Sequence, residues 1–411
     1  MSEAVVRSVS PPNGESPAAP PNPFAGLQDV VSVRDKLTQE YHDAVLEKVF
    51  RPSWFLVGNV NDVPESGSYF VLDVPTFNTS VLVQRGRDGE VRAFHNVCRH
   101  RGKKVISTAC GFAGGASPAH TCWFHGWSYT SEGTLRSVPD EEQFRSVDKS
   151  SLGLVPIRVE VRSGLIYAHF GENPEPLAEW LGEVAEGFDG YYSEMEKISC
   201  FSIDVRANWN IAMDSFSEGY HTVFLHRRTQ PKLAGKSNPM RHKPVIDMYS
   251  RHIRTSNPAN PDYVSPPVEG ALYGLGRKLA PAVETDFSML PPGVNRTHHS
   301  PWFFDIVWQF PNVAILNGSH WYTVVTVWPI DPSHTRIIFD GYARKARHAG
   351  DRLAQAYTRA LNYTVSREDL AAMEDVQRGL ESGAIDDVYL SMQEFALQHR
   401  YGLVNELIGD R

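Results

Sequence analysis

Four residues in two short arms of this 411-residue sequence are of types that bind metals. CRHRG at 98–102 offers Cys98 and His100, and CWFHGW at 122–127 offers Cys122 and His125. Structural zinc groups its ligands by type, two cysteines in one arm and two histidines in the other. Here each arm is mixed, C-x-H and then C-x-x-H. A [2Fe–2S] cluster in which two histidines replace two cysteines on one iron needs that mixture, and its histidines raise the reduction potential. Each arm then gives its cysteine to one iron and its histidine to the other. Glycine follows the ligands in both arms (Gly102, Gly126), and strand-like runs flank them. Structural zinc, and two unrelated buried cysteines with histidines nearby, are the competing readings.

A second group lies downstream. MDSFSEGYHTVFLH at 213–226 gathers Asp214, Glu218, His221 and His226. At about 100° per residue, Glu218 and His221 share a helix face, as do Asp214 and Glu218. His221 and His226 are about 140° apart on an ideal helix, so one metal reaches both only if the helix ends or bulges before His226. Two histidines and one carboxylate with open positions describe the Fe(II) facial triad, whose open positions serve O2 and substrate. A surface helix with scattered acids and two core histidines is the plainer reading. It wins for the histidine pair alone and loses once the pair stands behind a cluster motif.

The elements that must position these groups fall into two modules. Residues 33–50 space Val33, Leu37, Tyr41, Val45 and Val49 as a helix that stops before Pro52. From Trp54 to Phe170 the pattern is short β runs, among them 69–74, 80–85, 91–97 and 164–170, broken by Gly, Pro, Asp and Asn. Turn residues at 171–176 mark a boundary. A helical stretch at 176–188, a strand at 199–207 and a helix-like 208–225 follow. The Pro-, Arg-, His- and Asn-rich 227–300 reads as a long irregular region. Apolar β runs return at 302–310, 313–318, 320–330 and 335–344, and helices are expected at 351–363 and 367–381. No internal repeat is visible. The second module is therefore α+β, an antiparallel sheet with helices against one face.

Composition narrows the class. Hydrophobic residues at 41% and charged residues at 21% are ordinary for a globular protein. A net charge of −8 argues against nucleic acid and acidic membranes as partners. No apolar run is long enough to span a bilayer. The N-terminus has no apolar signal core, and its six prolines in 11–23 read as a disordered tail. Four cysteines (Cys98, Cys110, Cys122, Cys200) are too few for a disulfide scaffold, which favours a reducing, cytoplasmic setting.

CRHRG…CWFHGWSY, followed by GTLRSVP, resembles the Rieske domain of the α subunits of Rieske non-haem iron oxygenases. NWNIAMDSFSEGYHTVFLH resembles the same family's NW…(D/E)-x3-D-x2-H-x4-H pattern, and SREDLAAMEDVQRGL at 366–380 its C-terminal helix. The resemblance spans residues 40–405. It implies an all-β Rieske [2Fe–2S] domain (52–172) and a helix-grip-like catalytic domain (173–411), with an N-terminal helix (27–51) on the latter and a tail (1–26). It implies Cys98, His100, Cys122 and His125 as cluster ligands. His221, His226 and Asp369 are implied as ligands of a mononuclear Fe(II). Asp214 and Glu218 take catalytic roles, and Glu218 bridges the iron to His125 of a neighbouring subunit. For Asp369 a rival remains: Ser366 and Asp369 also fit a capping box, and Glu368 is a second candidate acid. Two departures from the family stand out. Most members carry aspartate at the position of Glu218, and 21 residues separate His100 from Cys122, a longer loop that includes Cys110.

The implied activity is reductive O2 activation, with NAD(P)H electrons arriving through a reductase, directly or by way of a ferredoxin. A homotrimer (α3) or an α3β3 assembly is the implied quaternary structure. Arg99, Arg101, Lys103 and Lys104 either attract an acidic redox partner or form a solvated charged face. Phe216, Tyr220 and Phe224 lie beside the iron ligands, and Trp302, Phe303, Phe304, Trp308 and Trp321 on strands expected to line the cavity. Of these, Phe216, Phe224, Trp308 and Trp321 are the expected pocket residues. Aromatic lining suits a hydrophobic, aromatic substrate. N- or O-demethylation uses the same iron, so it stays open beside ring hydroxylation. A pure electron-transfer protein is a third reading, opposed by the second ligand set. Asn312 in QFPN matches a family-like segment without a role.

Overall fold

A computed structural model describes residues 5–8, 26–108, 112–230, 244–258, 260, 267–275, 290–298, 300 and 302–409. Cys110 and most of the proline-rich tail lie outside these residues. The chain divides into two compact units, Arg51–Trp180 and Met1–Phe50 with Leu181–Arg411.

The first unit is all-β. Its seven-stranded antiparallel sheet runs in the order Trp54–Asn59, Leu165–His169, Pro156–Arg162, Val91–His95, Thr79–Arg85, Ser68–Val74, Phe112–Ala116. A three-stranded sheet of Leu135–Ser137, Ser128–Thr130 and Ala119–Thr121 carries the second arm. Val71, Leu82, Phe94, Trp127 and Leu135 form one core with Cys98 and Cys122, so both sulfurs sit in apolar surroundings.

The second unit is built on an eight-stranded sheet that ends in Trp302–Gln309, Val313–Asn317, Trp321–Asp331, His334–Arg344 and Met195–Val205. All its pairings are antiparallel except that of Val5–Ser8 with Val245–Met248. Asp331 pairs with His334 across a two-residue turn, and its Oδ1 accepts the Ser333 amide at 2.8 Å, the usual task of aspartate in a turn. The helices Trp209–Ser215 and Ala349–Glu381 pack on this sheet.

Three sequence expectations need correction here. The expected continuous helix over 208–225 breaks after Ser215, because the Ser217 hydroxyl donates to the Met213 carbonyl at 2.6 Å and satisfies the helix end. The two C-terminal helices are a single 33-residue helix, Ala349–Glu381. Nothing in Thr364, Val365 or Ser366 breaks it; Thr364 simply returns its hydroxyl to the Ala360 carbonyl at 2.8 Å. The irregular region instead supplies strands Val245–Met248 and Ile253–Pro258 and the helix Pro267–Leu275. The closing segment is a helix, Phe395–Ile408, ended by left-handed Gly409 at φ 82°.

Candidate metal centres

Both arms of the first unit fold into the same loop. The Cys98 amide donates to the Lys103 carbonyl at 2.8 Å and the Gly102 amide to the Cys98 carbonyl at 3.0 Å. The Cys122 amide donates to the Trp127 carbonyl at 2.8 Å and the Gly126 amide to the Cys122 carbonyl at 2.9 Å. Closing each loop takes a residue with positive φ, which Gly102 (76°) and Gly126 (78°) supply. A Cβ on Gly126 would also lie 2.8 Å from Pro139 Cγ.

The paired loops bring the four sequence-selected residues together. Cys98 and Cys122 are buried free thiols, and the His100 and His125 rings lie 4.5 Å apart. Trp127 stacks on His100 at 5.0 Å. His100 Nδ1 is buried without a hydrogen-bond partner. An orphaned imidazole nitrogen beside two buried thiols fits a [2Fe–2S] cluster with mixed ligands. Tyr129, fully buried, accepts the Arg99 amide at 2.9 Å and lies 3.4 Å from Cys98 Sγ. Burial holds its hydroxyl proton well above the usual phenol range. Of the four basic residues near the first arm, Lys104 pairs with Asp73 at 2.6 Å, Arg99 donates to the Gly153 carbonyl, and Arg101 lies over the Phe124 ring. Trp123 is 91% exposed at the tip of the second loop.

In the second unit the helix break places the candidate metal-binding residues. After Ser215 the chain turns, and His221 and His226 cap the two ends of the one-turn helix Thr222–Leu225. Glu218, inside that turn, accepts the Tyr220 and His221 amides with Oε2 and meets His221 Nδ1 with Oε1. The Nε2 atoms of the two histidines therefore converge on a residue from the long helix. Asp369 Oδ1 lies 3.5 Å from His221 Nε2 and 3.1 Å from His226 Nε2. These three ligand atoms all lie within 4.8 Å of one another. Asp369 Oδ1 is buried and accepts no hydrogen bond. Donor atoms that face a common point rather than each other fit a divalent metal. Ser366 sits within the long helix, so no capping box forms around Asp369.

The charges agree. Burial alone would depress the His221 imidazole, but the Asp369 and Glu218 carboxylates more than offset it and raise it to about 9. Burial would raise Asp369, yet the two imidazoles hold its carboxyl below the usual range.

Asp214 does not share a face with Glu218. It turns away to Arg400 Nη2 at 2.5 Å and Tyr401 Oη at 3.0 Å, both on the helix Phe395–Ile408. Burial pushes its carboxyl up despite Arg400. The reason is the helix break, which leaves Asp214 on the last turn of a helix that packs against the C-terminal one.

A cavity of about 250 Å³ opens onto His221, His226 and Asp369. Phe201, Phe216, Phe303, Phe304, Trp321 and Phe339 supply its rings. Of the expected pocket residues, Phe216 and Trp321 line it. Phe224 is 73% exposed, because it projects from a single helical turn whose other side carries the ligands. Trp308 is buried elsewhere and donates its indole N–H to the Phe216 carbonyl at 2.8 Å. Glu269 and Arg359 also border the cavity, and no local pattern in the sequence marks either. Asn312 is fully buried with neither end of its amide hydrogen-bonded, and nothing in the structure gives it a role.

Comparison with known proteins covers the stretches that carry both candidate centres. Residues 53–151 match the Rieske [2Fe-2S] domain, and residues 192–410, more than half of the chain, match the ring hydroxylating alpha subunit catalytic domain. The carnitine monooxygenase oxygenase subunit of Acinetobacter baumannii is 26% identical over 341 residues, covering 82% of this chain and 81% of that relative. The large oxygenase component of the naphthalene 1,2-dioxygenase system of Pseudomonas putida is 32% identical over 196 residues, 46% of this chain and 42% of that one. The solved structure of the quaternary ammonium Rieske monooxygenase CntA aligns at a TM-score of 0.74 and 21% identity, covering 93% of this chain and 96% of that chain, which speaks for the fold. The family works with a [2Fe–2S] cluster, a mononuclear iron, O2 and NAD(P)H electrons passed on by a reductase. Among the described residues, no helix is long and apolar enough to cross a membrane. This chain belongs to the Rieske non-haem iron oxygenase α subunits, the terminal oxygenase components of their electron-transfer systems.

Proposed function

We propose that the chain hydroxylates a small substrate with an apolar, aromatic body, held against the rings of the catalytic cavity. The observation that carries this reading is the cavity of about 250 Å³ that opens onto His221, His226 and Asp369 and counts six aromatic side chains among its lining residues. In this reading His221 Nε2, His226 Nε2 and Asp369 hold the iron, and Cys98, His100, Cys122 and His125 hold the cluster. The iron, when bound, supplies oxygen activation with electrons delivered through the cluster. The rings exclude water and present one carbon of the substrate to the metal face. Glu218 is fixed by the Tyr220 and His221 amides. In a head-to-tail trimer it also accepts from His125 of a neighbouring copy.

A second reading has its own support. Glu269, a buried carboxylate, borders the same aromatic cavity, and carboxylate plus ring faces attract a cation. The carnitine monooxygenase subunit, matched over most of both chains, makes a quaternary ammonium substrate the alternative, with a methyl group facing the iron.

The two readings separate in one assay. The purified protein, reconstituted with a reductase, is offered bicyclic arenes and trimethylammonium compounds, and products are identified by mass. A hydroxylated arene supports the first reading. Release of formaldehyde or a hydroxylated ammonium product replaces it with the second. Glu218→Ala tests the bridge: cluster absorbance and iron content stay, while substrate-coupled O2 uptake falls by about two orders of magnitude or more, in line with losing a positioned group from the reaction path. Retained turnover removes Glu218 from the electron route. Light scattering tests the trimer, and a monomer in active preparations would end it.

A further inference from the structure

His221 has Glu218 on its Nδ1, and the structure contains a counterpart for His226. Glu368 Oε2 lies 2.8 Å from His226 Nδ1 and accepts the Thr229 hydroxyl at 2.7 Å. The His226 side chain is almost fully buried, so its ring has no water to satisfy Nδ1. A neutral imidazole carries one N–H. If that proton sits on Nδ1 and is donated to Glu368, Nε2 is left with a free lone pair, and Nε2 is the atom 3.1 Å from Asp369 Oδ1.

We propose that Glu368 is a positioning residue for the mononuclear iron, acting through His226. It selects the tautomer with Nε2 free, sets the ring plane, and raises the basicity of the ligand nitrogen by placing a carboxylate behind it. Thr229 holds that carboxylate in place. The adjacent residues Glu368 and Asp369, about 100° apart on the long helix, thus divide the work. Asp369 faces the metal point and Glu368 braces one of its histidines. Together with Glu218 this gives each histidine its own carboxylate, so neither ring turns without breaking a charge-assisted hydrogen bond. This inference rests on the iron-site reading above.

The test is anaerobic Fe(II) titration of iron-depleted, cluster-loaded full-length protein in competition with a chromophoric chelator. Removing an outer partner of a ligating histidine weakens metal binding by about 10- to 100-fold. Glu368→Ala should show that loss. Glu368→Gln keeps an acceptor without the charge and should fall between Ala and the parent. Co(II) bound in place of iron should show shifted ligand-field bands in both variants, which a change in folding stability alone does not produce. Cluster absorbance per chain and circular dichroism report that both units are intact. Fe(II) affinity of Glu368→Ala within twofold of the parent overturns the proposal. So does a Glu368→Gln protein that binds as tightly as the parent with unshifted Co(II) bands. If the parent and an Asp369→Asn control bind Fe(II) equally, the iron-site reading itself fails, which is a separate outcome.

Discussion

Tyr129→Phe isolates one hydrogen bond at the cluster. The Tyr129 hydroxyl oxygen already accepts the Arg99 amide at 2.9 Å, and its proton is left for Cys98 Sγ at 3.4 Å. Its raised pKa keeps that proton in place at any working pH. A cysteine that ligates iron is a thiolate and has no proton to give, so tyrosine is the donor. Reduction adds negative charge to the cluster and its sulfurs, so the bond is stronger in the reduced state and raises the potential. A hydrogen bond to a charged group contributes about 1.5–3 kcal/mol, and about half of that distinguishes the two redox states, roughly 0.7–1.5 kcal/mol. With 1.4 kcal/mol equal to 59 mV for one electron, the loss is about 30–60 mV. The ring stays, so the apolar packing around Cys98 is kept. A redox titration followed by the reduced-state electron paramagnetic resonance signal reads the midpoint directly. A change under about 10 mV, or a rise, would refute the argument that this hydroxyl supports the reduced cluster.

Two further outcomes follow from the catalytic unit. Arg400→Met leaves Asp214 with only Tyr401 as a side-chain partner and should destabilise that unit by about 2–3 kcal/mol, below the usual cost of breaking a buried pair because Asp214 keeps some solvent contact. Denaturant unfolding followed by tryptophan fluorescence checks this, and cluster absorbance should show the Rieske unit unchanged; a shift under about 0.5 kcal/mol counts against a structural lock. Iron loading should depend on pH with a definite sign. In the metal-free protein His221 keeps its proton up to about pH 9, and His226 is raised as well, whereas the metal-bound Nε2 atoms carry none. Binding therefore releases protons below that pH, and Fe(II) affinity should fall about tenfold or more for each unit of pH lowered. Titrations between pH 6.5 and 8.5 that give one constant affinity would exclude this coupling.

The cluster arms were legible in the sequence because each is a closed local loop. Ligands, glycine and the two closing hydrogen bonds all fall within six residues, so spacing and backbone geometry are one problem. His221 and His226 were legible for the same reason, since one helical turn separates them, although the break that lets them converge depends on the hydroxyl of Ser217. The strands within 302–344 could be read as apolar runs rich in aromatic and β-branched residues, because strands buried on both faces carry apolar side chains without alternation. Tertiary structure decided the rest. Asp369 was implied by the resemblance of 366–380 and not by spacing, since a contact across more than 140 residues leaves none to read; it reaches the histidines because the long helix packs beside their turn. The resemblance implied a catalytic role for Asp214, but Arg400 and Tyr401, far along the chain, hold its carboxylate. Phe224 and Trp308 looked like pocket walls by residue type, and direction rather than type sent one to solvent and the other behind Phe216. Sequence alone thus picked out the residue types and spacings that suit a mixed-ligand cluster and a facial triad, because ligand chemistry is local. Only the packing of sheet and helices decided what surrounds them, because a cavity wall is assembled from strands that meet nowhere in the sequence.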